Sequence, residues 1–299
     1  MVSETITAAA ARTWKLGGRT VHRIGFGAMR LTGSAPFHLG IPSDREQSIT
    51  VLRRAVEFGV NHIDTAAFYF SALRSANELI NRALAPYPDD LVIVTKVGPS
   101  RDASGEWQAP AAPEQLRGQV EENLRQLGRD HLDVVNLRRQ QGQDSIAEHF
   151  GALAELRTAG LIRHLGVSGV TVEQLAEAQA IAPVVCVQNR YGLDRRDADD
   201  VLRACGAQGI AFVPFFAVAG EGATKGASGT DSEEIQAIAR AHGATAAQVR
   251  LAWTLHRGPH VLAIPGTGNP DHLVQNVAAG ALRLSPDELA TLDSCVVGP

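Results

Sequence analysis

Short apolar runs alternate along nearly the whole chain with longer stretches whose apolar residues recur every three or four positions. The short runs predict strands at 23–27, 61–64, 91–96, 132–137, 162–167, 184–188, 210–214 and 261–264. Several are rich in Val and Ile without polar alternation, as strands buried on both faces should be. Between them the helical period predicts helices at 45–58, 75–84, 112–127, 146–159, 172–180, 197–207, 245–255 and 271–279. Pro113 stands at a helix start, Gly59 and Gly160 stand just past helix ends, and Thr245 followed by Gln248 has the form of a capping box. Strand-then-helix units repeated eight times without a break in composition predict an α/β fold, a closed parallel (β/α)8 barrel of the TIM type rather than an open sheet. Residues 13–22, with Gly17-Gly18 between two short runs, predict an N-terminal β-hairpin that plugs the barrel bottom. Ser285, Pro286 and an acidic first turn predict a C-terminal helix over 285–292. The segment 217–231, rich in Gly, Ala and Thr, is read as one long loop.

Composition narrows the picture. A chain of 299 residues fits one such barrel, so 1–299 is read as a single domain. Lys and Arg total 28 against 32 Asp and Glu, and a net charge of −4 favours neither nucleic acid nor a membrane surface as partner. Cys186, Cys205 and Cys295 are odd in number and lack CxxC spacing. They predict neither a disulfide framework nor a metal site, but small buried hydrophobes. No basic start precedes an apolar run at the N-terminus, and no apolar stretch reaches the ~18 residues of a membrane span. A reducing cytoplasm is the expected compartment. The expected partner is a small molecule and the expected assembly a monomer or small homo-oligomer.

The functional face of a parallel barrel lies where strands end and loops begin. Strand two ends on Asp64 and strand three on Lys96, one of only three lysines in the chain. Strand four ends on Arg138, strand five on Ser168, strand six on Gln188 and strand seven on Phe215, and strand eight gives way to the turn at 265–268. A carboxylate, an ammonium and a guanidinium therefore converge on one mouth, where charge is costly unless paired. Asp64 and Lys96 alone are equally well read as a structural ion pair. Tyr69, five residues past Asp64, favours chemistry. A free phenol, with a pKa of about 10, is a poor acid at neutrality. A neighbouring ammonium favours the phenolate and makes proton donation easier, with Asp64 holding Lys96 charged.

Asp64-x4-Tyr69, Lys96 closing T-K, G-V-S at 166–168, V-Q-N at 187–189 and I-P-G-T…H-L…N over 264–276 together resemble the aldo/keto reductase family, in order and over about 27–292. The runs at 52–65, 89–96, 132–138, 185–189, 213–216 and 264–267 resemble most closely a bacterial subgroup that reduces pyridoxal. The resemblance implies NADPH-dependent reduction of an aldehyde or ketone, with pyridoxal the leading substrate. Tyr69 is then the general acid, Lys96 its activator and Asp64 the support of Lys96. Ser168 and Gln188 would hold the nicotinamide carboxamide and Phe215 would stack on its ring. The turn Gly266-Thr267-Gly268, His272 and Asn276 would meet the adenosine end.

The chain departs from the family pattern at four points, one being Phe215, where the stacking aromatic is usually Tyr. Arg138 stands where the family usually has His; it cannot shuttle a proton, but it can donate to a developing oxyanion. Gly169 replaces an Asn after Ser168. The Lys or Arg expected after strand eight for a 2′-phosphate is absent, which leaves NADH open; Lys225 or His272 would supply the cation. Rival readings keep the chemistry with another carbonyl, chosen by loops 30–43, 98–110 and 217–231, or make the chain a non-catalytic, cofactor-bound regulatory subunit. A phosphate-binding isomerase barrel is disfavoured by the Asp-Tyr-Lys order.

Overall fold

The computed structural model describes residues 6–34, 39–218 and 231–295. Seven parallel strands run in chain order: β3 (Phe26–Gly27), β4 (His62–Asp64), β5 (Val92–Val97), β6 (Leu132–Arg138), β7 (Ile162–Ser168), β8 (Val184–Gln188) and β9 (Ala211–Phe212). The predicted eighth strand is too short to form a ladder of its own, because Pro259 and Pro265 bracket it and neither can donate a backbone hydrogen bond. Its residues nonetheless close the barrel. Val261 bridges Phe212 and Ala263 bridges Ile24, both in parallel. Phe212 N donates to His260 O at 2.9 Å and Gly25 N to Ala263 O at 2.8 Å. The (β/α)8 expectation therefore holds, with the outer strands shorter than their apolar runs suggested.

Helices α1 (Arg45–Glu57), α2 (Ala76–Leu84), α3 (Leu116–Leu127), α4 (Ala147–Thr158), α5 (Val172–Ile181) and α6 (Asp199–Gln208) follow successive strands, most ends within a residue or two of the predicted ones. Helix α3 begins later than expected, since Pro113–Gln115 forms a 3-10 turn ahead of it. Helix α7 (Glu233–Ala241) was not anticipated, although Ser232 caps it and Ile235, Ile238 and Ala239 bury one face at helical spacing. Helices α8 (Ala246–His256) and α9 (Pro270–Ala278) complete the ring, and α10 (Pro286–Ser294) is the predicted terminal helix. The capping box at Thr245 and Gln248 is present. Most of loop 217–231, including Lys225, lies outside the described residues.

The period of two along each strand decides where charge can stand. Ile93, Val135, Leu165 and Val187 join the large apolar layer between strands and helices. Their neighbours Val92, Val94, Val134 and Cys186 point the other way and fill the barrel interior with Ala211, Val213 and Leu262. The antiparallel hairpin β1 (Thr13–Leu16) and β2 (Arg19–His22) closes the bottom, with Leu16 and Val21 in that same interior cluster. Gly17 permits the closure: it has φ +56°, and a Cβ there would meet the His164 ring at 2.4 Å. Lys96, Arg138 and Gln188 share the parity of the interior residues, so the strands deliver them to the open top of the barrel.

Candidate active site

Asp64 leaves β4 at 4% exposure and Lys96 leaves β5 at 6%. Lys96 Nζ donates to Asp64 Oδ1 at 2.6 Å and to Thr65 O at 3.0 Å. Gln188 Nε2 donates to the other carboxylate oxygen at 2.9 Å. The buried carboxylate is thus satisfied from two sides, the condition under which a buried charge pair is tolerable. The strand ends are fixed from outside the barrel by amides that the sequence did not reveal. Thr65 Oγ1 donates to Asn77, Asn77 Nδ2 to Asn123 at 2.9 Å, and Thr95 Oγ1 to the same Asn123 oxygen at 2.6 Å. Residues flanking Asp64 and Lys96 are therefore tied to one another through α2 and α3.

Tyr69 is 7% exposed, and its ring centroid lies 4.9 Å from Lys96 Nζ. The loop that presents it is a tight turn: Tyr69 N donates to Ala66 O and Tyr69 O accepts from Ala76 N, at 3.0 and 2.9 Å. Sequence reasoning expected Lys96 to bring the phenol below its usual range. The structure reverses the net direction. Burial raises the Tyr69 pKa by more than the Lys96 ammonium lowers it, and the Asp64 carboxylate adds to the rise, while Arg138 opposes it weakly. Lys96 itself is pulled down by burial, but Asp64 and Tyr69 outweigh that and leave its ammonium firmly charged. The Lys96 contribution has the expected sign, but it is smaller than the cost of drying a phenolate.

Arg138 ends β6 opposite Ser168 in register. Its Nη1 donates to Ser168 Oγ at 3.3 Å and its guanidinium carbon lies 5.0 Å from the Phe215 ring centroid. Burial lowers its pKa, Tyr69 opposes this and Arg139 adds to it, but a guanidinium keeps its charge at neutral pH. Two departures from the family pattern meet in space. Gly169 has φ +74°, and a Cβ there would fall 2.4 Å from Arg138 Nη1. A side chain at 169 would compete with Arg138 for this space, and the left-handed backbone adds to the preference for glycine. The turn is then held by Asn189, whose Oδ1 accepts from Gly169 N at 2.8 Å and Val170 N at 3.1 Å. Asn189 was quoted in the sequence but given no role. Arg139 turns outward as alternation demands, and donates to Gly169 O and Gln143 O.

At the predicted cofactor end, Ser168 and Gln188 are buried beside the ion pair, and Gln188 Oε1 is buried with no hydrogen-bond partner among the described residues. Phe215 is half-buried, braced edge-on by Phe216 at 5.3 Å. The turn after strand eight hugs β3: a Cβ on Gly266 would meet Gly27 O at 2.3 Å. Gln47 Nε2 donates to Gly268 O at 2.6 Å, and Thr267 is buried. Among the described residues, the N–H groups of Gly266, Thr267 and Gly268 donate to no backbone carbonyl, which leaves them open to an anion. Asn269 caps α9, His272 is exposed on its first turn, and Asn276 follows four residues later on the same face, half-buried. Of the thiols, Cys186 and Cys205 are buried, while Cys295 is only partly so.

Residues 23–297 match the sequence profile of the Aldo/keto reductase family. The chain is 44% identical over 290 residues to pyridoxine 4-dehydrogenase of Escherichia coli K12, covering 95% of this chain and 98% of that one. It is 38% identical to an uncharacterized oxidoreductase of Schizosaccharomyces pombe, covering 97% and 92% respectively. Among solved structures it resembles an aldo/keto reductase from Klebsiella pneumoniae in complex with NADP and acetate, with a TM-score of 0.77, 29% identity and 96% of each chain covered. None of the described helices is long and apolar enough to cross a membrane.

Proposed function

The chain belongs to the aldo/keto reductase family, and from that premise we propose that it reduces an aldehyde or ketone to the alcohol with NADPH, pyridoxal being the leading substrate. One observation carries the reading: a buried Asp64–Lys96 pair beside a buried phenol, on the interior parity of the strands at the barrel mouth. A purely structural ion pair has no need of Tyr69 in that position. The residues present also fit the cofactor. Gln188 Oε1 can accept from a carboxamide N–H, Ser168 can donate to its oxygen, and Phe215 offers a ring face. When bound, the dinucleotide supplies the hydride.

This chain's residues supply the proton and the field. Tyr69 Oη donates its proton to the carbonyl oxygen, and the phenolate left behind sits beside the Lys96 ammonium until solvent reprotonates it. Asp64 keeps that ammonium charged and fixed. Arg138 donates to the oxygen as charge develops there, a stabilisation that a dry site strengthens. Its cation also suits a substrate with an anionic or phenolic oxygen next to the carbonyl, as pyridoxal has. The adenosine end would lie on 266–268 with His272 and Asn276, and the preference for NADPH over NADH rests mainly on the family. We read 1–299 as one catalytic domain working in the reducing cytoplasm, as a monomer or small homo-oligomer.

The test is NADPH oxidation against a panel of pyridoxal, simple aldehydes and α-diketones. Turnover with pyridoxal foremost is expected, whereas no turnover on any member would overturn the catalytic reading in favour of a regulatory subunit. Tyr69→Phe should lower kcat/KM about 10²–10⁴-fold, the usual worth of a positioned general acid, while NADPH affinity stays within about twofold. A mutant that kept most of its rate would show the donor to be misassigned.

A further inference from the structure

Tyr69 is presented by a loop whose position depends on a residue from a different loop. Arg101 follows β5 and is 8% exposed. Its Nη1 donates to Phe68 O at 3.1 Å and to Phe70 O at 3.0 Å, the carbonyls on either side of Tyr69. Its Nε donates to Gly105 O at 2.9 Å within its own loop. The guanidinium lies 4.4 Å from the Phe70 ring centroid and 5.9 Å from that of Trp107. Tyr69 N and Tyr69 O are satisfied by neighbours in sequence, and the two flanking carbonyls by Arg101. The residue is placed to read backbone, and among the described residues no hydrogen bond or ion pair joins it to the Asp64–Lys96 pair.

We propose that Arg101 is the positioning residue of the proton donor: it holds the 68–70 backbone so that the Tyr69 hydroxyl is aimed at the reacting oxygen. The proposal rests on Tyr69 being the acid. The chemistry requires a fork. A guanidinium directs Nη1 and Nε at fixed angles into two loops while its flat face lies on Phe70, whereas an ammonium is a point charge on a flexible stem. Loop 98–110 and the Tyr69 loop therefore move as one body, and Trp107, packed against Phe68 with centroids 5.8 Å apart, ties the substrate-facing rim to the donor. A donor displaced by about 1 Å loses on the order of 10²-fold in rate.

Arg101→Lys and Arg101→Met test this in the full-length protein, each alone and combined with Tyr69→Phe, with active sites counted by NADPH titration. Per titrated site, either variant is expected to lower kcat roughly 10–10²-fold. NADPH affinity should stay unchanged, and the solvent deuterium isotope effect should increase as proton transfer becomes limiting. In the Tyr69→Phe background the same substitutions should change the residual rate less than about twofold, since no proton donor is left to aim. An unchanged kcat per site, or an equal loss with and without the Tyr69 hydroxyl, would overturn the proposal. If Lys fails to fold, Met, an unbranched apolar side chain without the fork, answers the same question. A Tyr69→Phe protein as fast as the parent would instead overturn the donor assignment, so the two failures are distinguishable.

Discussion

Lys96→Met separates the energetic role of the buried pair from its chemical one. In the parent, Lys96 Nζ makes a 2.6 Å bond to Asp64, and both side chains are 6% exposed. Met fills nearly the same volume but leaves a carboxylate in a dry site with only the 2.9 Å bond from Gln188 to offset it. Breaking a buried pair by removing one partner costs about 3–5 kcal/mol, mostly for the uncompensated charge. The surviving Gln188 contact puts the expected loss toward the lower end. For a chain of 299 residues the unfolding entropy is roughly 0.6 kcal/mol/K, so the melting temperature should fall by about 5–8 °C. Adding Asp64→Asn removes the stranded charge while keeping an acceptor and a donor. The double variant should therefore recover at least half of the lost stability, a coupling of about 1.5 kcal/mol or more. Urea and thermal unfolding of the parent, both single variants and the double complete the cycle. Additive losses, or a Lys96→Met protein as stable as the parent, would refute the claim that Lys96 neutralises Asp64 in a dry site. Carbonyl reduction should be lost in the single and the double variants alike, because stability is recovered without the ammonium.

Three further outcomes are expected. Because burial sets the Tyr69 phenol above its ordinary range, the donor stays protonated through neutrality; reduction should be lost only on the alkaline side, above the range of a free phenol, and a fall on passing through neutrality would place the proton elsewhere. Arg138→Met should lower kcat about 10–10²-fold through the lost charged hydrogen bond, and substrates with an oxygen next to the carbonyl should suffer most; equal losses for benzaldehyde and 2-hydroxybenzaldehyde would show that Arg138 reads only the carbonyl. His62 is fully buried at β4, and burial with His22 beside it lowers its pKa to about 4. The folded state thus refuses a proton that the unfolded chain accepts at about 6.5, so stability present above that pH should drain away as pH falls toward 4, by about 3 kcal/mol in all. Urea titrations of the parent and of His62→Leu should diverge across that window, and parallel curves would exclude His62 as the cause.

The sequence by itself determined the fold class, the barrel order and the identity of the polar strand ends. The reason is local: apolar periodicity is written residue by residue, and in a parallel barrel the strand end is also the functional face. Asp64, Lys96, Arg138, Ser168 and Gln188 could be picked out because each breaks an apolar run at the same relative place. The tertiary structure alone decided what depends on neighbours distant in sequence. The direction of the Tyr69 shift is a balance between drying and three charges, and no spacing rule weighs those against each other. Arg138 and Gly169 read separately as two departures; only the structure brings them together, where a Cβ at 169 would fall 2.4 Å from Arg138 Nη1. Arg101 lies in a loop whose sequence carries no periodic signal, and its grip on the carbonyls beside Tyr69 exists only once two loops meet. The eighth strand reverses the case: its apolar run was legible, but its length was set by flanking prolines and by the need to bridge two edges at once.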